Sequence, residues 1–212
     1  MKKVYLIRHG QSQGNVGLIR EMAGSPLTAT GKKQATILAK HCLQIPLEVI
    51  ISSPLIRAKE TAEIIAEEIK KPLELNELFS EWRRPSQQLG RPKNDAKAME
   101  AEKTIRANFS IDGFRFSDEE NFNELKTRAL AALAFLEKRP ENNILAVTHE
   151  FFMRIILAAV VFGDRLTGVE CRQFIRSFHI KNAAITVLGL DQEKYGPGWW
   201  VWVWNDHSHQ MK

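Results

Sequence analysis

Two histidines follow short apolar segments that are far apart in the chain. Arg8-His9-Gly10 comes directly after Val4-Tyr5-Leu6-Ile7, and Thr148-His149 comes directly after Ile144-Leu145-Ala146-Val147. Each apolar segment is aliphatic and β-branched and ends in polar residues, which predicts a buried strand. Ligands of open α/β sheets bind outside the carboxyl ends of the strands. We therefore expect two imidazoles and a guanidinium at one place, a set of groups that suits a doubly charged phosphoryl group.

The residue after His9 decides whether Arg8 and His9 can both reach such a ligand. Adjacent strand residues point to opposite faces, so the chain must leave the strand there, and Gly10 permits a turn. A further arginine, Arg57, falls near the first turn of a predicted helix. Ser52-Ser53-Pro54 gives that helix a serine cap and a proline at its first position. The helix N-terminus favours an anion, and the planar fork of arginine matches two phosphate oxygens.

The rest of the chain alternates predicted strands with predicted helices. Besides the two strands above, we predict strands at 49–51, 73–75, 184–188 and 200–204, and helices at about 31–43, 54–69, 121–138 and 151–162. Alternation of this kind indicates an α/β fold. We expect a three-layer sandwich with a mostly parallel central sheet, helices on both faces and an inserted cap segment.

Length and composition fit a single domain that spans 1–212. The chain has 212 residues, of which 44% are apolar and 26% charged, as is ordinary for a globular protein. The segment at about 80–118 breaks the alternation, because it is polar and basic and contains several prolines and glycines. We interpret it as a cap insertion over the sheet edge, partly helical around 95–108.

Charge and cysteine content bear on partners and compartment. The net charge of +5 fits either attraction to anionic ligands or a mildly basic surface. No apolar run reaches the length of about 18 residues that suggests a membrane span, and Met1-Lys2-Lys3 precedes too few apolar residues for a signal peptide. Cys42 and Cys171 are isolated, which is typical of reduced thiols. We expect a cytoplasmic protein that binds an anionic phosphorylated small molecule, and neither nucleic acid nor a membrane.

The segment Arg8-His9-Gly10-Gln11-Ser12-Gln13-Gly14-Asn15 resembles the signature of the histidine phosphatase superfamily, the phosphoglycerate-mutase-like proteins. Four further segments are similar to the family in the same order. They are Leu27-Thr28 to Gly31 with Gln34-Ala35, Ser52-Ser53-Pro54-Leu55-Ile56-Arg57-Ala58, Val147-Thr148-His149, and Asn182 to Leu188. The resemblance covers nearly the whole chain, and five motifs in the correct order are far more specific than any one of them.

The resemblance implies a role for each matched residue. His9 would attack phosphorus and form a phosphohistidine, which water then hydrolyses. Arg8, Arg57 and His149 would hold the transferring oxygens, and Asn15 and Ser12 would complete the substrate pocket. This mechanism needs no metal and no other cofactor, because the arginines supply the positive charge.

The leaving group needs a proton donor, and two glutamates are candidates. Glu77 directly follows the predicted strand at 73–75, so it should emerge at the same sheet edge as both histidines. Leu75-Asn76-Glu77 is also similar to the acid motif of the family's mutases. Glu81 has Trp82 beside it, which would shield its carboxyl group from water. We favour Glu77 and keep Glu81 as the alternative.

The chain departs from the resemblance at two places. Relatives often carry a glycine and then Trp-Glu-Gly soon after the acid, where this chain has Phe79-Ser80-Glu81-Trp82-Arg83-Arg84. Many relatives also have glycine after the second histidine, where this chain has Glu150, a carboxylate that would repel phosphate unless it turns away or meets a cationic group of the substrate. We expect a metal-independent phosphatase of the histidine acid phosphatase type, acting on phosphomonoesters. A phosphoglycerate-type mutase and a non-catalytic phosphate-binding module stay open.

Two features near the C-terminus have more than one interpretation. Trp200, Trp202 and Trp204 would share one face of a strand, where core packing or a homodimer interface are the favoured uses. His207 and His209 lie two residues apart without a cysteine or carboxylate at metal-ligand spacing, so we do not interpret them as zinc ligands.

Overall fold

The computed structural model describes residues 1–20, 22 and 24–211. Its centre is a six-stranded sheet in the order β3-β2-β4-β1-β5-β6. The strands are β1 (Lys2–Arg8), β2 (Val49–Ser52), β3 (Leu73–Leu75), β4 (Asn143–Thr148), β5 (Ile185–Leu190) and β6 (Trp200–Asp206). The helices are α1 (Gln13–Val16), α2 (Ala29–Cys42), α3 (Ile56–Ile69), α4 (Ala96–Asn108), α5 (Phe122–Lys138), α6 (Glu150–Phe162), α7 (Gly168–Ser177) and α8 (Gln192–Tyr195).

The sheet is mostly parallel, as the sequence predicts. β3, β2, β4 and β1 pair in parallel, whereas β5 and β6 extend the sheet in the antiparallel sense. Parallel strands are buried on both faces, which explains the unbroken apolar runs of β1, β2 and β4. The predicted α/β class is therefore confirmed.

Helices cover both faces of the sheet and enclose two cores. Along β4, Ile144 and Ala146 pack against α5 and α6, whereas Leu145 and Val147 pack against α2 and α3. This alternation follows from the two-residue period of a strand. Within the described residues, no helix is both long and apolar enough to cross a membrane.

Local caps explain where several helices begin. Thr28 accepts a hydrogen bond from the Gly31 amide at 3.0 Å and starts α2. Asn121 and Glu124 form a reciprocal capping box at the start of α5. The serine cap predicted for α3 is wrong, because that helix begins at Ile56 after an N-cap, Leu55, that makes no side-chain cap bond.

Residues 80–118 add no strand to the described sheet. They contain a 3-10 turn at Ser86–Gln88 and then α4, whose N-cap Asp95 accepts a hydrogen bond from the Ala98 amide at 2.8 Å. The helix predicted around 95–108 is therefore present. A short bridge between Ile19 and Pro92 ties this segment to the loop after α1. That the segment is a cap on a single domain stays a prediction.

The tryptophans of β6 do not share one face, contrary to expectation. Leu188 pairs with Val201 and Val187 pairs with Val203, so β6 has one extra residue at Trp202. Such a bulge reverses the alternation beyond it. Val201 and Trp204 therefore pack against the core, whereas Trp202 is 49% exposed.

Candidate active site

The two histidines meet because β1 and β4 pair in parallel. Arg8 pairs with Thr148, so His9 and His149 leave the sheet side by side. Their ring centroids are 5.1 Å apart, and the rings are only 2% and 0% exposed. The structure thus brings together the two imidazoles that the sequence separates.

Hydrogen bonds define the tautomer of His9. His9 Nδ1 lies 2.6 Å from the carbonyl oxygen of Gly10, which can only accept, so Nδ1 carries the proton. Arg57 Nε lies 3.2 Å from His9 Nε2 and can only donate, so Nε2 carries the lone pair. Both contacts assign the same tautomer and direct the Nε2 lone pair to the guanidinium of Arg57.

His149 is positioned by a residue outside the predicted set. Its Nε2 lies 2.8 Å from the hydroxyl oxygen of Ser53, and this oxygen accepts a hydrogen bond from the Leu55 amide at 3.2 Å, so that the hydroxyl proton is available to Nε2. The other ring nitrogen, Nδ1, is buried and has no hydrogen-bond partner among the described residues. A buried imidazole nitrogen without a partner is uncommon, and an entering oxygen atom would satisfy it.

Burial and positive charge keep both imidazoles neutral. Burial lowers the pKa of His9 well below its usual value, and the charges of Arg57 and Arg8 lower it further. Burial also lowers the pKa of His149 well below its usual value, again with a contribution from Arg57. A neutral imidazole is the nucleophilic form.

Gly10 is needed for close packing rather than for an unusual turn. It is not among the glycines with positive φ, contrary to the expectation that its backbone freedom is used. A Cβ at Gly10 would lie 2.5 Å from the carbonyl oxygen of Gly31. The Gly10 amide donates to the hydroxyl of Thr61 at 3.1 Å, which fixes the chain just after His9.

Asn15 and Ser12 belong to one hydrogen-bonded turn. Ser12 is buried and accepts a hydrogen bond from the Asn15 amide at 3.3 Å, while the Asn15 carboxamide caps the Ser12 amide. Asn182 donates both to the Asn15 carboxamide at 3.1 Å and to the carbonyl oxygen of His9 at 3.0 Å. Asn15 lines the cleft described below, and direct contact of Ser12 with substrate stays a prediction.

Arg8 is held by Glu150, the residue at which the chain departs from many relatives. Arg8 Nη1 lies 2.9 Å from a carboxylate oxygen of Glu150 and also donates to the carbonyl oxygen of Ile180. Glu150 further contacts Arg154 at 4.0 Å and His179 at 3.5 Å. Its carboxylate therefore does not turn away from the site, and it occupies part of the fork that would bind a phosphoryl group.

The structure separates the two candidate acids. Glu81 lines the cleft with His9, and its carboxylate accepts hydrogen bonds from the amides of Phe151 and Phe152 at 3.3 and 3.0 Å, in the first turn of α6. Glu77 is exposed and accepts from Ser80 at 2.8 Å.

Glu77 is not among the residues that line the cleft with His9, and its role as the acid stays a prediction. Glu77 follows β3, which is the edge strand, and β2 and β4 separate β3 from β1. A position at the correct end of the sheet is therefore not enough to reach the cleft. Phe79 accepts a hydrogen bond from Thr148 at 2.6 Å, and Glu81, four residues after Glu77, is in the lining of the cleft.

A cleft of about 890 Å³ opens above His9. Arg8, His9, Asn15 and Glu81 lie on its inner side. The remaining lining comes from the segment 80–118 and from α6, α7 and the loop after α7. A volume of this size lies within the usual range for small-molecule sites, about 300–1,000 Å³, so the cleft can hold much more than a phosphoryl group.

Three residues complete the site although their types alone do not predict chemistry. Ser53 follows the carboxyl end of β2, the same signal that identifies His9 and His149, so its position was a usable clue. Thr61 lies four residues after Arg57, on the same face of α3. Asn182 precedes β5 and opens the last of the five motifs of the resemblance, but its contacts with His9 and Asn15 were not predicted.

Comparisons with known proteins agree with this geometry. The profile of the histidine phosphatase superfamily (branch 1) matches residues 4–207. A protein of Bacillus subtilis named uncharacterized phosphatase PhoE is 29% identical, over 99% of this chain and 97% of its own length. Probable phosphoglycerate mutase GpmB of Citrobacter koseri is 30% identical, over 99% of this chain and 95% of its own length.

Solved structures show the same fold. Bacillus stearothermophilus YhfR aligns with a TM-score of 0.82 at 25% identity and 99% coverage of both chains. A putative alpha-ribazole-5'-P phosphatase from Escherichia coli aligns with a TM-score of 0.81 at 20% identity, covering 97% of this chain and 96% of its own. With the paired histidines and arginines in place, this chain belongs to the histidine phosphatase superfamily.

Proposed function

We propose that this protein is a metal-independent phosphatase of the histidine acid phosphatase type, which hydrolyses phosphomonoesters through a phosphohistidine on His9. The observation that carries the proposal is the tautomer of His9, whose Nε2 lone pair lies 3.2 Å from Arg57 Nε. Two relatives support hydrolysis by their names, PhoE and a putative phosphoserine phosphatase 2 of Hydrogenobacter thermophilus, 28% identical over 92% of both chains.

The first step transfers the phosphoryl group to the protein. The Nε2 lone pair of His9 forms a bond to phosphorus while the bond from phosphorus to the ester oxygen breaks. Arg8, Arg57 and His149 Nδ1 bind the equatorial oxygens, whose charge must be stabilised in the transition state. Glu81, in its protonated form, gives its proton to the departing oxygen.

The second step returns the protein to its starting state. The Glu81 carboxylate takes a proton from a water molecule as that oxygen attacks phosphorus. The bond from phosphorus to Nε2 breaks, the lone pair returns to His9, and inorganic phosphate leaves. The arginines provide the positive charge for both steps, so the proposed mechanism routes no step through a metal ion.

A phosphoglycerate-type mutase is the second candidate, favoured by the 30% identity to a probable phosphoglycerate mutase. A mutase returns the phosphoryl group from His9 to a hydroxyl of the substrate instead of to water. Incubation with phosphoglycerate separates the two activities, since a phosphatase releases inorganic phosphate and a mutase produces the isomer. A non-catalytic binding module would form no phosphohistidine at all.

The test is hydrolysis of p-nitrophenyl phosphate in EDTA, from mildly acidic to mildly basic pH, with the phosphoenzyme trapped in an alkaline detergent quench because phosphohistidine is labile in acid. We expect activity in the wild type, and a loss of about a thousandfold or more in His9→Ala. His207→Ala is the matched control, because His207 lies outside the cleft lining. Absence of both activity and phosphoenzyme in the wild type would overturn the proposal, and Glu150→Gly would then be the first variant to make.

We also propose a cytoplasmic location and an anionic phosphorylated small molecule as the partner, with neither nucleic acid nor a membrane. The cysteines support the proposed location, because Cys42 and Cys171 are both buried free thiols, and free thiols fit a reducing compartment. Burial also raises the pKa of both thiols to about 12, which keeps them unreactive.

A further inference from the structure

The outer part of the cleft carries more positive charge than phosphoryl transfer requires. Among the described residues, six arginines and three glutamates line the cleft. The glutamates are already engaged: Glu81 with the α6 amides, Glu102 with Arg20 and Arg106, and Glu150 with Arg8.

Three of the arginines have no carboxylate within 4 Å in the described part of the chain, although Glu102 and Glu81 act on Arg84 at longer range. These are Arg84, Arg172 and Arg176, which we call the cationic arm. Arg172 and Arg176 lie one turn apart on α7, and Arg172 Nη1 donates weakly to the carbonyl oxygen of Ala107 at 3.5 Å. The Arg84 guanidinium lies 4.9 Å from the ring of Trp82. Arginines that line one cleft and have no carboxylate within 4 Å indicate that the natural ligand carries an anionic group there.

An aromatic wall in the same cleft accompanies the cationic arm. Trp82 stacks on Phe151 with 5.0 Å between ring centroids, and Phe109 meets Phe151 edge-on at 6.2 Å. All three rings line the cleft with Glu81 and His9. The wall offers apolar contact to the body of a ligand whose phosphoryl group is at His9.

We propose that the substrate is a phosphomonoester with an apolar or aromatic body and a second anionic group, a carboxylate or a phosphate, bound by Arg84, Arg172 and Arg176. This proposal rests on the proposed function, because it names the substrate class of the same cleft. The second anion adds charge-assisted hydrogen bonds far from the reacting phosphorus. Binding energy from such a remote group contributes to kcat/KM.

The experiment compares three substrates with the same leaving group. They are phenylpropyl phosphate and its two derivatives with a carboxylate or a phosphonate at the para position of the ring. The propyl spacer keeps the ring charge from altering the leaving-group oxygen. We expect kcat/KM to be higher by about tenfold or more for at least one anionic derivative, and the better derivative identifies the second anion.

Variants locate the effect. In Arg172→Gln/Arg176→Gln the preference for the anionic derivative is expected to fall about tenfold or more. Arg165→Gln, an exposed arginine outside the cleft lining, is the matched control and should retain the preference. Equal kcat/KM for the three substrates, or an equal loss on all three in the double variant, would overturn the assignment of the cationic arm.

A failure of the proposed function gives a different result. The wild type would then hydrolyse none of the three compounds and form no phosphohistidine. Calorimetric measurement of the binding of the same compounds still tests whether the cationic arm binds a second anionic group. Tighter binding of an anionic derivative, lost in the double variant, would support the cationic arm, and equal binding of all three would overturn it.

Discussion

The pocket around His9 and His149 and the cationic arm belong to one cleft but differ in what holds their side chains. His9 and His149 are buried and fixed by register and by hydrogen bonds to Gly10 and Ser53. Arg176, by contrast, is exposed on α7. The side chains of the pocket are therefore fixed before a ligand binds, whereas the arm includes a solvent-exposed side chain.

This difference separates chemistry from substrate choice. Electrostatic stabilisation of a transition state works best with groups that are already in position, and the pocket meets that requirement. Selection among phosphomonoesters needs only a difference in binding to the remainder of the molecule. Substitutions in the pocket should therefore act on all substrates, and substitutions in the arm should act on some.

The largest expected effect tests which glutamate belongs to the pocket. Glu81→Gln should lower kcat about a hundredfold to ten-thousandfold on an alkyl phosphate, whose leaving oxygen needs a proton. The loss should be smaller on p-nitrophenyl phosphate, which has a better leaving group. Both rates are measured as release of inorganic phosphate or nitrophenol.

Glu77→Gln is the matched control, because it removes the same charge outside the cleft. We expect its kcat on both substrates to stay close to that of the wild type. The reverse pattern, with a large loss in Glu77→Gln and little in Glu81→Gln, would restore Glu77 as the acid.

The sequence could predict the features that depend on local patterns, and it could not predict those that depend on long-range structure. His9, His149 and Arg57 are predictable, because strand ends and helix starts are local patterns and parallel strands end together. The choice between Glu77 and Glu81 depends on the order of strands in the sheet, which is a long-range property. The face of Trp202 depends on a bulge, and the pairing of Arg8 with Glu150 depends on the path of a side chain. None of these leaves a local pattern.

A smaller effect is expected from the support of His149. Ser53→Ala removes the hydroxyl 2.8 Å from Nε2 and leaves a buried imidazole nitrogen without a partner. Such a loss costs about 1–3 kcal/mol, so we expect kcat to fall about tenfold on every substrate. Ser86→Ala, on the segment at 80–118, is the control and should retain full activity. An equal loss of kcat on all substrates supports a positioning role, whereas a lower Tm with unchanged kcat contradicts it.

The pH dependence of stability tests whether the pocket keeps its histidines neutral. The pKa of His9 and of His149 is lowered on folding, so the unfolded chain binds more protons below its own imidazole pKa of about 6.5. Stability is therefore complete above about pH 6.5 and falls as the pH drops below it, by at most about 1.4 kcal/mol per histidine for each pH unit. Urea unfolding at several pH values measures this slope. His9→Gln should have a shallower slope, and an unchanged slope would contradict burial as the cause of the shift.

The smallest effect is expected at Glu150, which contacts Arg8 of the pocket and also Arg154 and His179. Because its carboxylate competes with phosphate for the Arg8 fork, Glu150→Gln should lower KM about fivefold, equivalent to about 1 kcal/mol, with less change in kcat. Inhibition by inorganic phosphate should strengthen to a similar extent. Glu100→Gln, which removes an exposed charge from α4, is the control and should alter neither constant. A higher KM in Glu150→Gln would instead show that the carboxylate orients Arg8 for the substrate. Glu150 would then belong with the fixed groups of the pocket.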